Sequence, residues 1–536
     1  SVITALEAHH IDKEAKTLQS FYESVQMRAD GIESAEGKQR IIVELYDKFF
    51  RNAFPRMTER LGIVYTPLEV VDFILHSVED VMQQEFGASL ADEQVHILDP
   101  FTGTGTFITR LLQSGIIPAD KLPYKFKQEI HANEVVLLAY YIAAINIEAT
   151  YHGILSGNVT GREDEAEITE VAYEPFEGIC LTDTFQMYET EDLVDQLLEE
   201  NSARRKRQKS LDIQVIIGNP PYSAGQASAN DNNANISYPH LDERIRSTYA
   251  ERSVATNKNA LYDSYIRAIR WASDRVGEQG VIGFVTNGGF LEANTADGMR
   301  KCLAEEFSSL YVFHLRGNQR TSGELSRREG GKIFDSGSRA PIAISILVKN
   351  PKAKEMGKIH FYDIGDYWSR DEKLQIISDF GSLKGIPEWN LIKPDEYGDW
   401  LNQRDDSFDE HIVLGDKRNK DELVLFDNYS RGLETGRDAW TYNSNKEFMK
   451  QNMTSMIANY NSELLRFEEL YQGADRKSRQ SAMDNFIDLD PKKISWTSSL
   501  KNEFVKGGKI DFDASGVGVA LYRPFTKQWA YYNRIF

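Results

Sequence analysis

Four consecutive residues, Asn219, Pro220, Pro221 and Tyr222, combine an amide, two rigid rings and an aromatic ring. The side-chain carbonyl of Asn219 and the main-chain carbonyl of Pro220 can both accept hydrogen bonds from an exocyclic amine. Two such acceptors orient the amine and direct its lone pair towards an electrophile, while Tyr222 can stack on the ring that carries the amine. The tetrapeptide therefore predicts chemistry on a planar amine. The alternative is a rigid, exposed turn between a strand and a loop.

An apolar, mostly β-branched stretch precedes the asparagine at residues 213–217 (IQVII), and this pattern is typical of a buried strand in a parallel sheet. Pro220 and Pro221 end the strand, because each proline fixes φ and lacks an N–H donor. Asn219 is then extended at the carboxyl end of the strand. In open α/β sheets, ligands bind at this end.

A second candidate ligand site is the glycine turn DPFTGTG, residues 99–105. Asp99 ends an apolar strand pattern, and Gly103 and Gly105 would allow the backbone to approach a ligand beside a helix N-terminus. No Gly-Lys-Ser/Thr follows, and Ile108 stands where G-x-G-x-x-G requires its third glycine, so both phosphate-binding fingerprints are excluded. Taken alone, the turn is a weak signal for a ligand site, and a simple tight turn is the more common explanation.

Acidic residues end two further predicted strands. Glu134 is placed to accept hydrogen bonds from ribose hydroxyls, although a solvated helix-start residue would have the same pattern. Asp183 follows the third strand, where a turn or cap aspartate is the alternative. Because the strands are predicted to be parallel, Asp99, Glu134, Asp183 and Asn219 converge on one edge of the sheet.

The motifs DPFTGTGTF and NPPY together resemble the two hallmark motifs of S-adenosylmethionine-dependent amino-methyltransferases, chiefly the adenine-N6 DNA methyltransferases. Their order, with YTP at residues 65–67 first and a further domain after NPPY, resembles the gamma class. The resemblance covers about residues 62–349. It implies S-adenosyl-L-methionine as cofactor, double-stranded DNA with a specific target site as partner, and no metal.

The same resemblance implies roles for individual residues. Thr66 and Pro67 would help to hold the methionine end of the cofactor, Glu134 would take the ribose hydroxyls, and Asp183 would contact the cofactor adenine. Asn219, Pro220, Pro221 and Tyr222 would hold the target adenine. The implied cofactor-binding residues are Tyr65, Thr66, Pro67, Asp99, Pro100, Phe101, Gly103, Gly105, Glu134, Asp183 and Phe185.

One position departs from the family pattern. In related enzymes an aromatic residue often follows directly after the aspartate of LTDTF, whereas here Thr184 precedes Phe185. The sequence therefore leaves open which residue packs on the cofactor adenine.

A narrower resemblance lies near the C-terminus. Residues 494–504 (ISWTSSLKNEF) and 521–536 (LYRPFTKQWAYYNRIF) look like the C-terminal region of type ISP restriction-modification enzymes, and the helical start resembles their coupler. Those single polypeptides join a nuclease and a helicase-like ATPase to a methyltransferase and a target recognition domain. This chain carries neither a Walker A sequence nor a convincing nuclease motif. Its ends, at Ser1 and Phe536, suggest a part cut from something longer, with a recognition domain whose completeness is open.

The order of predicted elements indicates an α/β fold. Strand patterns end near Asp99, Glu134 and Asp183, recur at residues 213–217 and 280–291, and finish at 340–349 and 357–365. With helices between them, they predict a parallel, doubly wound, Rossmann-like sheet. The resemblance described above implies that this sheet is of the S-adenosylmethionine-dependent methyltransferase class. Thr66 is predicted to cap, and Pro67 to begin, a helix that runs to about Phe86.

The predicted domains are a helical, coupler-like segment at residues 1–60, a methyltransferase domain at 61–404 and a mixed α+β target recognition domain at 405–536. A chain of 536 residues is too long for a single core, which agrees with this division.

Composition restricts the class of protein further. The apolar run at 135–147 is too short for a membrane span, and the absence of a signal peptide predicts a cytoplasmic location. The resemblance to restriction-modification enzymes implies that the location is prokaryotic. Cys180 and Cys302 are too far apart in sequence for paired zinc-ligand spacing or a disulfide framework. The net charge of −20 argues mildly against nucleic acid, yet a local basic groove remains compatible with it.

Two basic segments are candidate DNA contacts. Residues 202–210 (SARRKRQKS) read as a solvated surface loop or a set of phosphate contacts. Residues 316–332 mix Arg, Asn, Gln, Ser and Gly, which suits phosphate and base-edge contacts, and relatives have a loop near the flipped base in this region. The predicted DNA-binding residues there are Arg316, Arg320, Arg327 and Arg328.

These features predict a site-specific adenine-N6 DNA methyltransferase that acts on a base swung out of the duplex. It would be the modification part of a single-chain restriction-modification enzyme. Three alternatives are carried: a methyltransferase for protein glutamine or RNA, a DNA-recognition module that serves a nuclease or translocase, and a small-molecule methyltransferase, which the size of the chain disfavours.

Overall fold

The computed structural model describes residues 66–155, 173–189, 199–221, 238–334, 339–403, 407, 410–430, 432–522 and 525–536. The predicted N-terminal helical segment, Tyr65 and Tyr222 lie outside these residues. Described residues up to Gln403 belong to one compact unit, and those from Ser407 onward belong to a second. No described helix has both the length and the apolar content needed to cross a membrane.

The first unit contains a nine-stranded sheet and ten helices among its described residues. The strands are β1 His96–Asp99, β2 Ile130–Glu134, β3 Ile179–Leu181, β4 Ile213–Gly218, β5 Gly280–Asn287, β6 Ser309–Arg316, β7 Ile342–Lys349, β8 Lys358–Asp363 and β9 Asn390–Ile392. The helices are α1 Leu68–Val81, α2 Thr106–Gln113, α3 Leu122–Gln128, α4 Leu137–Leu155, α5 Glu199–Ser210, α6 Pro239–Ile245, α7 Ser264–Arg275, α8 Asp297–Glu306, α9 Gly323–Glu329 and α10 Arg370–Phe380.

The strand order is β3-β2-β1-β4-β5-β7-β6-β8-β9. Strands β1 to β5 are mutually parallel, and β6 and β8 run in the same direction as them. From β1 the chain moves first towards β2 and later towards β4, so right-handed crossovers place helices on both faces of the sheet. The predicted doubly wound α/β fold is confirmed, with its switch point between β1 and β4.

The prediction of a parallel sheet was wrong for two strands. Strand β7 runs antiparallel to β5 and β6, and β9 runs antiparallel to β8. The connection from β6 to β7 returns at the same edge of the sheet, so β7 must run in the opposite direction. Strands β6 and β9 were also absent from the predicted set.

The strands in the middle of the sheet are the most deeply buried. The strands β4, β5 and β7 are almost continuously buried because helices cover both faces of the sheet. Helix α1 packs so closely on β5 that a Cβ at Gly283 would lie 2.8 Å from Cγ2 of Val78. This packing holds the N-terminus of α1, which follows Thr66, near the centre of the sheet.

The second unit is a mixed α+β structure with a core of its own. Its helices are α11 Asp438–Thr441, α12 Lys446–Tyr471, α13 Arg476–Phe486 and α14 Ser498–Val505. Its strands, β10 Tyr442–Asn443, β11 Val517–Tyr522 and β12 Thr526–Tyr531, form an antiparallel sheet in the order β10-β12-β11. The predicted helix at 447–470 corresponds to α12.

Candidate active site

The switch point of the sheet brings together the ends of β1 and β4. Leu98 of β1 pairs with Ile216 of β4, so Asp99 and Gly218 end adjacent strands at one edge. A Cβ on Gly218 would lie 2.9 Å from Oδ1 of Asp99. Glycine is thus needed immediately before Asn219 because the carboxyl of Asp99 occupies the space of a side chain. No pattern in the sequence marks this role of Gly218.

Asp99 is a fully buried carboxyl group with one partner missing. Its Oδ1 accepts a hydrogen bond from the N–H of Phe101 at 3.1 Å, whereas its buried Oδ2 has no hydrogen-bond partner among the described residues. Burial raises the pKa of Asp99 to about 8; the Phe101 N–H opposes this shift and the charge of Glu134 adds to it. An unpaired buried oxygen at a strand end is what a ligand donor would satisfy.

The two glycines of the turn have different tasks. Gly103 has φ of +58°, and a Cβ there would meet nothing within 4 Å, so the turn borders open space at this point. Gly105 has φ of +87°, and its Cβ position lies 3.3 Å from the backbone of Ala143 in α4. Gly103 therefore leaves room for a ligand, whereas Gly105 allows helix α4 to pack against the turn.

Glu134, at the end of β2, supports the glycine turn directly. Its Oε2 accepts a hydrogen bond from the N–H of Gly103 at 2.9 Å, and its Oε1 accepts one from Val136 at 2.7 Å. Burial raises the pKa of Glu134 to about 7, and these backbone N–H groups oppose that shift. The carboxylate lies beside the space that borders Gly103, where it can accept further hydrogen bonds.

Asn219 is held in one orientation by Thr66. The Nδ2 atom of Asn219 donates a hydrogen bond to Oγ1 of Thr66 at 2.9 Å. The buried Oδ1 atom of the same amide has no hydrogen-bond partner among the described residues. The amide therefore presents an unused acceptor. Pro220 is buried and Pro221 is half-buried, which keeps the chain rigid after the amide.

The predicted capping role of Thr66 was wrong. Pro67 occupies the cap position of α1, and no side chain caps this helix. The carbonyl of Pro67 instead accepts hydrogen bonds from the N–H groups of Val70 and Val71. The hydroxyl of Thr66 is engaged by Asn219, a contact across 153 positions of sequence.

Thr184, the residue that departs from the family pattern, joins the third strand end to the first. Its hydroxyl donates to the carbonyl of Pro100 at 2.6 Å and accepts a hydrogen bond from Nδ2 of Asn133 at 3.3 Å. The ring of Phe185 is buried and packs edge-on against Phe101, with 5.5 Å between centroids. Thr184 therefore ties this loop to the end of the first strand, and the ring of Phe185 lies in the core of the first unit.

Asp183 is already engaged at both oxygens. Its Oδ1 accepts hydrogen bonds from the N–H groups of Phe185 and Gln186, and its Oδ2 accepts one from the Tyr238 hydroxyl at 2.9 Å. Burial and the adjacent Asp183 raise the pKa of Tyr238. Tyr238 was not among the predicted site residues, and no motif in the sequence marks it.

The four arginines proposed as DNA contacts differ in their surroundings. Arg316 donates to Oδ1 of Asp363 at 2.6 Å and also pairs with Asp366. Arg328 donates to the same Asp366 at 2.8 Å. Arg320 is exposed, and its guanidinium has no carboxylate partner in the described part of the chain, while Arg327 is 78% exposed beside Glu324. Arg320 and Arg327 are therefore the more available cations.

The other basic segment is not a loop. Residues 202–210 fall within helix α5, so the prediction of a loop was wrong. One of its arginines, Arg207, donates to main-chain carbonyls of Lys127 and Gln128 at the end of α3. Since α3 leads into the amino end of β2, this contact lies away from the edge that carries Asn219.

Two family models match the chain. Residues 132–320 match the Eco57I restriction-modification methylase, and residues 424–536 match the Type ISP C-terminal specificity domain. The first match includes Glu134, Asp183 and Asn219. The second lies within the second compact unit. A comparison with curated protein sequences gave no match.

Three solved structures are similar over nearly the whole chain. One is a nuclease-deletion mutant of the Type ISP enzyme LlaGI in complex with a DNA substrate mimic, which is 48% identical with a TM-score of 0.82. The match covers 100% of this chain and 42% of the LlaGI chain. The ATP-dependent Type ISP enzyme LlaBIII bound to DNA is 46% identical, with a TM-score of 0.84 and coverages of 100% and 34%. The DrdV–DNA complex is 34% identical, with a TM-score of 0.83 and coverages of 98% and 49%.

The chain thus spans less than half the length of each of these relatives. Sequence identity and structural similarity nevertheless extend over both compact units. Over both compact units the chain is similar to the corresponding part of Type ISP restriction-modification enzymes, and its matched segments are the Eco57I restriction-modification methylase and the Type ISP C-terminal specificity domain.

Proposed function

We propose that this chain transfers a methyl group from S-adenosyl-L-methionine to the N6 amine of an adenine in duplex DNA. The observation that carries the proposal is the amide of Asn219. One end is fixed by the hydroxyl of Thr66, while the buried Oδ1 has no partner among the described residues. An exocyclic amine is a donor that can satisfy this oxygen. The methylase family match at residues 132–320 supports the same reaction class.

The residues around the glycine turn fit the cofactor. Asp99 offers an unpaired buried oxygen, Gly103 borders open space, and Glu134 presents a carboxylate at the adjacent strand end. Together with Thr66, Pro67 and Asp183, these residues would hold S-adenosyl-L-methionine, which supplies an electrophilic methyl group on a positively charged sulfur. The residues Tyr65, Pro100, Phe101, Gly105 and Phe185 complete the proposed cofactor set.

The protein's own contribution is mainly orientation. Asn219 Oδ1 and the carbonyl of Pro220 accept hydrogen bonds from the amine, which holds its lone pair in one direction. Pro221 restricts the turn, and Tyr222 is proposed to stack on the base. Thr66 keeps the amide of Asn219 from rotating. Because the electrophile already carries a good leaving group, correct positioning supplies much of the rate enhancement.

Duplex DNA is the proposed partner, and the adenine must swing out of the helix to reach the strand edge. The similar LlaGI and LlaBIII structures each contain DNA or a DNA mimic. The second unit, which matches the specificity domain, would read the target sequence. We also propose that nuclease and helicase-like modules accompany these two units in the same polypeptide.

Transfer of a labelled methyl group tests the proposal. We expect label from S-adenosyl-L-methionine to enter adenine of duplex DNA, and Asn219→Ala to lower the rate about 100-fold or more while cofactor binding persists. Asn350→Ala is a matched control, because Asn350 is a part-buried amide beyond the end of β7, at the opposite edge of the sheet. An Asn219→Ala variant with an undiminished rate would refute the proposed role.

The same assay separates the alternative functions. Label that enters RNA or a protein glutamine, and not DNA, would identify a different substrate for the same amide. Site-specific DNA binding with no transfer in the presence of cofactor would indicate a recognition module that serves a nuclease or translocase.

A further inference from the structure

The segment at residues 317–331 lies on the edge of the sheet that carries the candidate active site. It follows the carboxyl end of β6, and β6 and β8 run in the same direction as β1 and β4. Strands β5 and β7 separate β4 from β6, which amounts to three strand spacings or about 14 Å. This distance is similar to the width of the major groove of DNA, about 12 Å. A duplex that delivers a base to Asn219 can therefore also reach this segment.

A buried ammonium holds the segment in place. Lys373 of α10 is fully buried, and its Nζ donates to the carbonyls of Leu315, Glu329 and Gly331, each at 2.8 Å. These carbonyls belong to the end of β6, the end of α9 and the turn that follows α9. One side chain thus fixes both ends of residues 317–331.

The loop after β8 packs against the same segment. A Cβ on Gly330 would lie 2.2 Å from the carbonyl oxygen of Trp368, and the N–H of Gly331 donates to that oxygen at 2.9 Å. The N–H of Tyr367 donates to the carbonyl of Arg328 at 3.0 Å. Tyr367 and Trp368 are therefore attached to the segment through its main chain.

The resulting surface combines available cations with exposed aromatic rings. Arg320 and Arg327 have no strong carboxylate partner among the described residues, as shown above. Tyr367 is 60% exposed and Trp368 is 39% exposed. Exposed pairs such as Arg327 with Glu324 are weak and easily exchanged. In a chain with a net charge of −20, such a local combination fits phosphates and the faces of bases.

We propose that Lys373 is the residue that positions residues 317–331, which carry the DNA contacts expected from the sequence, and that Tyr367 and Trp368 join them in contacting duplex DNA beside the flipped base. Residues 317–331 with Tyr367 and Trp368 are here named the arginine platform. The inference rests on the proposed function for the location of the duplex. It assigns Arg316 a supporting role, because that side chain pairs with Asp363 and Asp366. Arg320, Arg327 and Tyr367 make the contacts.

The environment of Lys373 makes the platform sensitive to pH. Glu329, Arg316 and Asp363 are the charged groups around the ammonium, and His314 contacts Asp363. Burial lowers the pKa of Lys373 to about 8. The neutral amine has only two N–H donors for three carbonyls, and it removes a positive charge near the phosphates. DNA affinity should therefore decrease as the pH rises through about 8, which is above the ordinary histidine range.

Binding of a duplex that contains the target site to the 536-residue chain tests the surface. Tyr367 has φ of +68°, so Tyr367→Asn removes the ring and keeps a residue that tolerates this conformation. We expect it to weaken DNA binding at least about 5-fold. Tyr124→Asn, on α3 before the amino end of β2, is the control and should bind as wild type. Replacing Arg320 and Arg327 by Gln should reduce the salt slope of log K by about 2.

Lys373→Met tests the positioning role. We expect weaker DNA binding at pH 7.5 and loss of the affinity change between pH 7.5 and 9, with unchanged affinity for S-adenosyl-L-methionine. Lys125→Met is the control, because Lys125 is equally buried and bonds two main-chain carbonyls and Glu129 at the opposite edge. A pH profile that stays like wild type in Lys373→Met would overturn the positioning role. If Lys373→Met does not fold, the wild-type chain supplies the test. A wild-type DNA affinity that does not change between pH 7.5 and 9 would also overturn the positioning role.

Failure of the arginine platform can be distinguished from failure of the proposed function. Wild-type DNA affinity in both Tyr367→Asn and the double Gln variant would overturn the platform even if the wild-type chain methylates adenine. Conversely, weaker binding in those variants would support the platform even if no methyl group is transferred.

Discussion

The hydrogen bond between Thr66 and Asn219 gives the most direct test of the candidate active site. Thr66→Val keeps the shape of the side chain and removes the oxygen that accepts from Nδ2 of Asn219 at 2.9 Å. The amide of Asn219 would then be free to rotate, and its N–H would lose its partner in a half-buried position. We therefore expect the rate of methyl transfer to fall by a larger factor than the affinity for the cofactor, to which Thr66 is also proposed to contribute.

The size of the effect follows from the type of bond. Leaving a buried donor unpaired has a free-energy cost of about 1–3 kcal/mol, and Asn219 is only half-buried, so about 1–2 kcal/mol is appropriate. This corresponds to a factor of roughly 5–30 in the population of the oriented amide, and hence in the rate.

The assay is the rate of label transfer at saturating DNA and cofactor, with the Kd for S-adenosyl-L-methionine measured separately by calorimetry. Thr109→Val is a matched control, since Thr109 is a buried threonine whose hydroxyl donates to the carbonyl of Thr106 in its own helix. If Thr66→Val weakens cofactor binding about 10-fold and leaves the maximal rate unchanged, Thr66 serves only the cofactor and does not orient the amide of Asn219.

Two further predictions concern the carboxyl groups at the strand ends. Burial raises the pKa of Asp99 to about 8 and that of Glu134 to about 7, so between about pH 4 and 8 the folded chain binds more protons than the unfolded chain. The Tm should therefore fall as the pH rises from 6 to 8, and the Asp99→Asn variant should show a smaller fall. A fall in Tm that is as large in Asp99→Asn as in the wild-type chain, measured by thermal scans, would contradict this prediction. Gly218→Ala should displace the carboxyl of Asp99 and weaken cofactor binding about 10-fold, because its Cβ would lie 2.9 Å from Oδ1. Gly518→Ala, whose Cβ meets nothing within 4 Å, should bind cofactor as wild type.

Much of the fold could be predicted from patterns of a few neighbouring residues. Strands β1 and β4 are short, mostly apolar stretches that end at Asp99 and Gly218, and each is followed by a residue type that stops a strand or begins a turn. Their parallel arrangement follows from the helices between them. The direction of β7 could not be predicted from the sequence, because it depends on how the chain returns to the sheet after β6 rather than on the residues of β7 itself.

The candidate site shows the same division. The residue types at the strand ends, and the order of the motifs, were sufficient to predict an amide that receives an amine beside a cofactor turn. They did not reveal that Gly218 must lack a side chain, that Thr184 bonds Pro100, or that Tyr238 engages Asp183. Each of these contacts joins residues from different strands or loops, and no sequence pattern relates them.

The sequence by itself determined which chemical groups are available and at which strand ends they stand, because strand and turn signals act over a few neighbouring residues. Only the tertiary structure decided which of those groups are free. Arg316 reads as a DNA contact in the sequence, yet it pairs with Asp363, 47 positions away, and Asn219 is oriented by Thr66, 153 positions away. Such pairs form because strand order brings distant segments to one edge of the sheet, and strand order is a property of the whole packed chain.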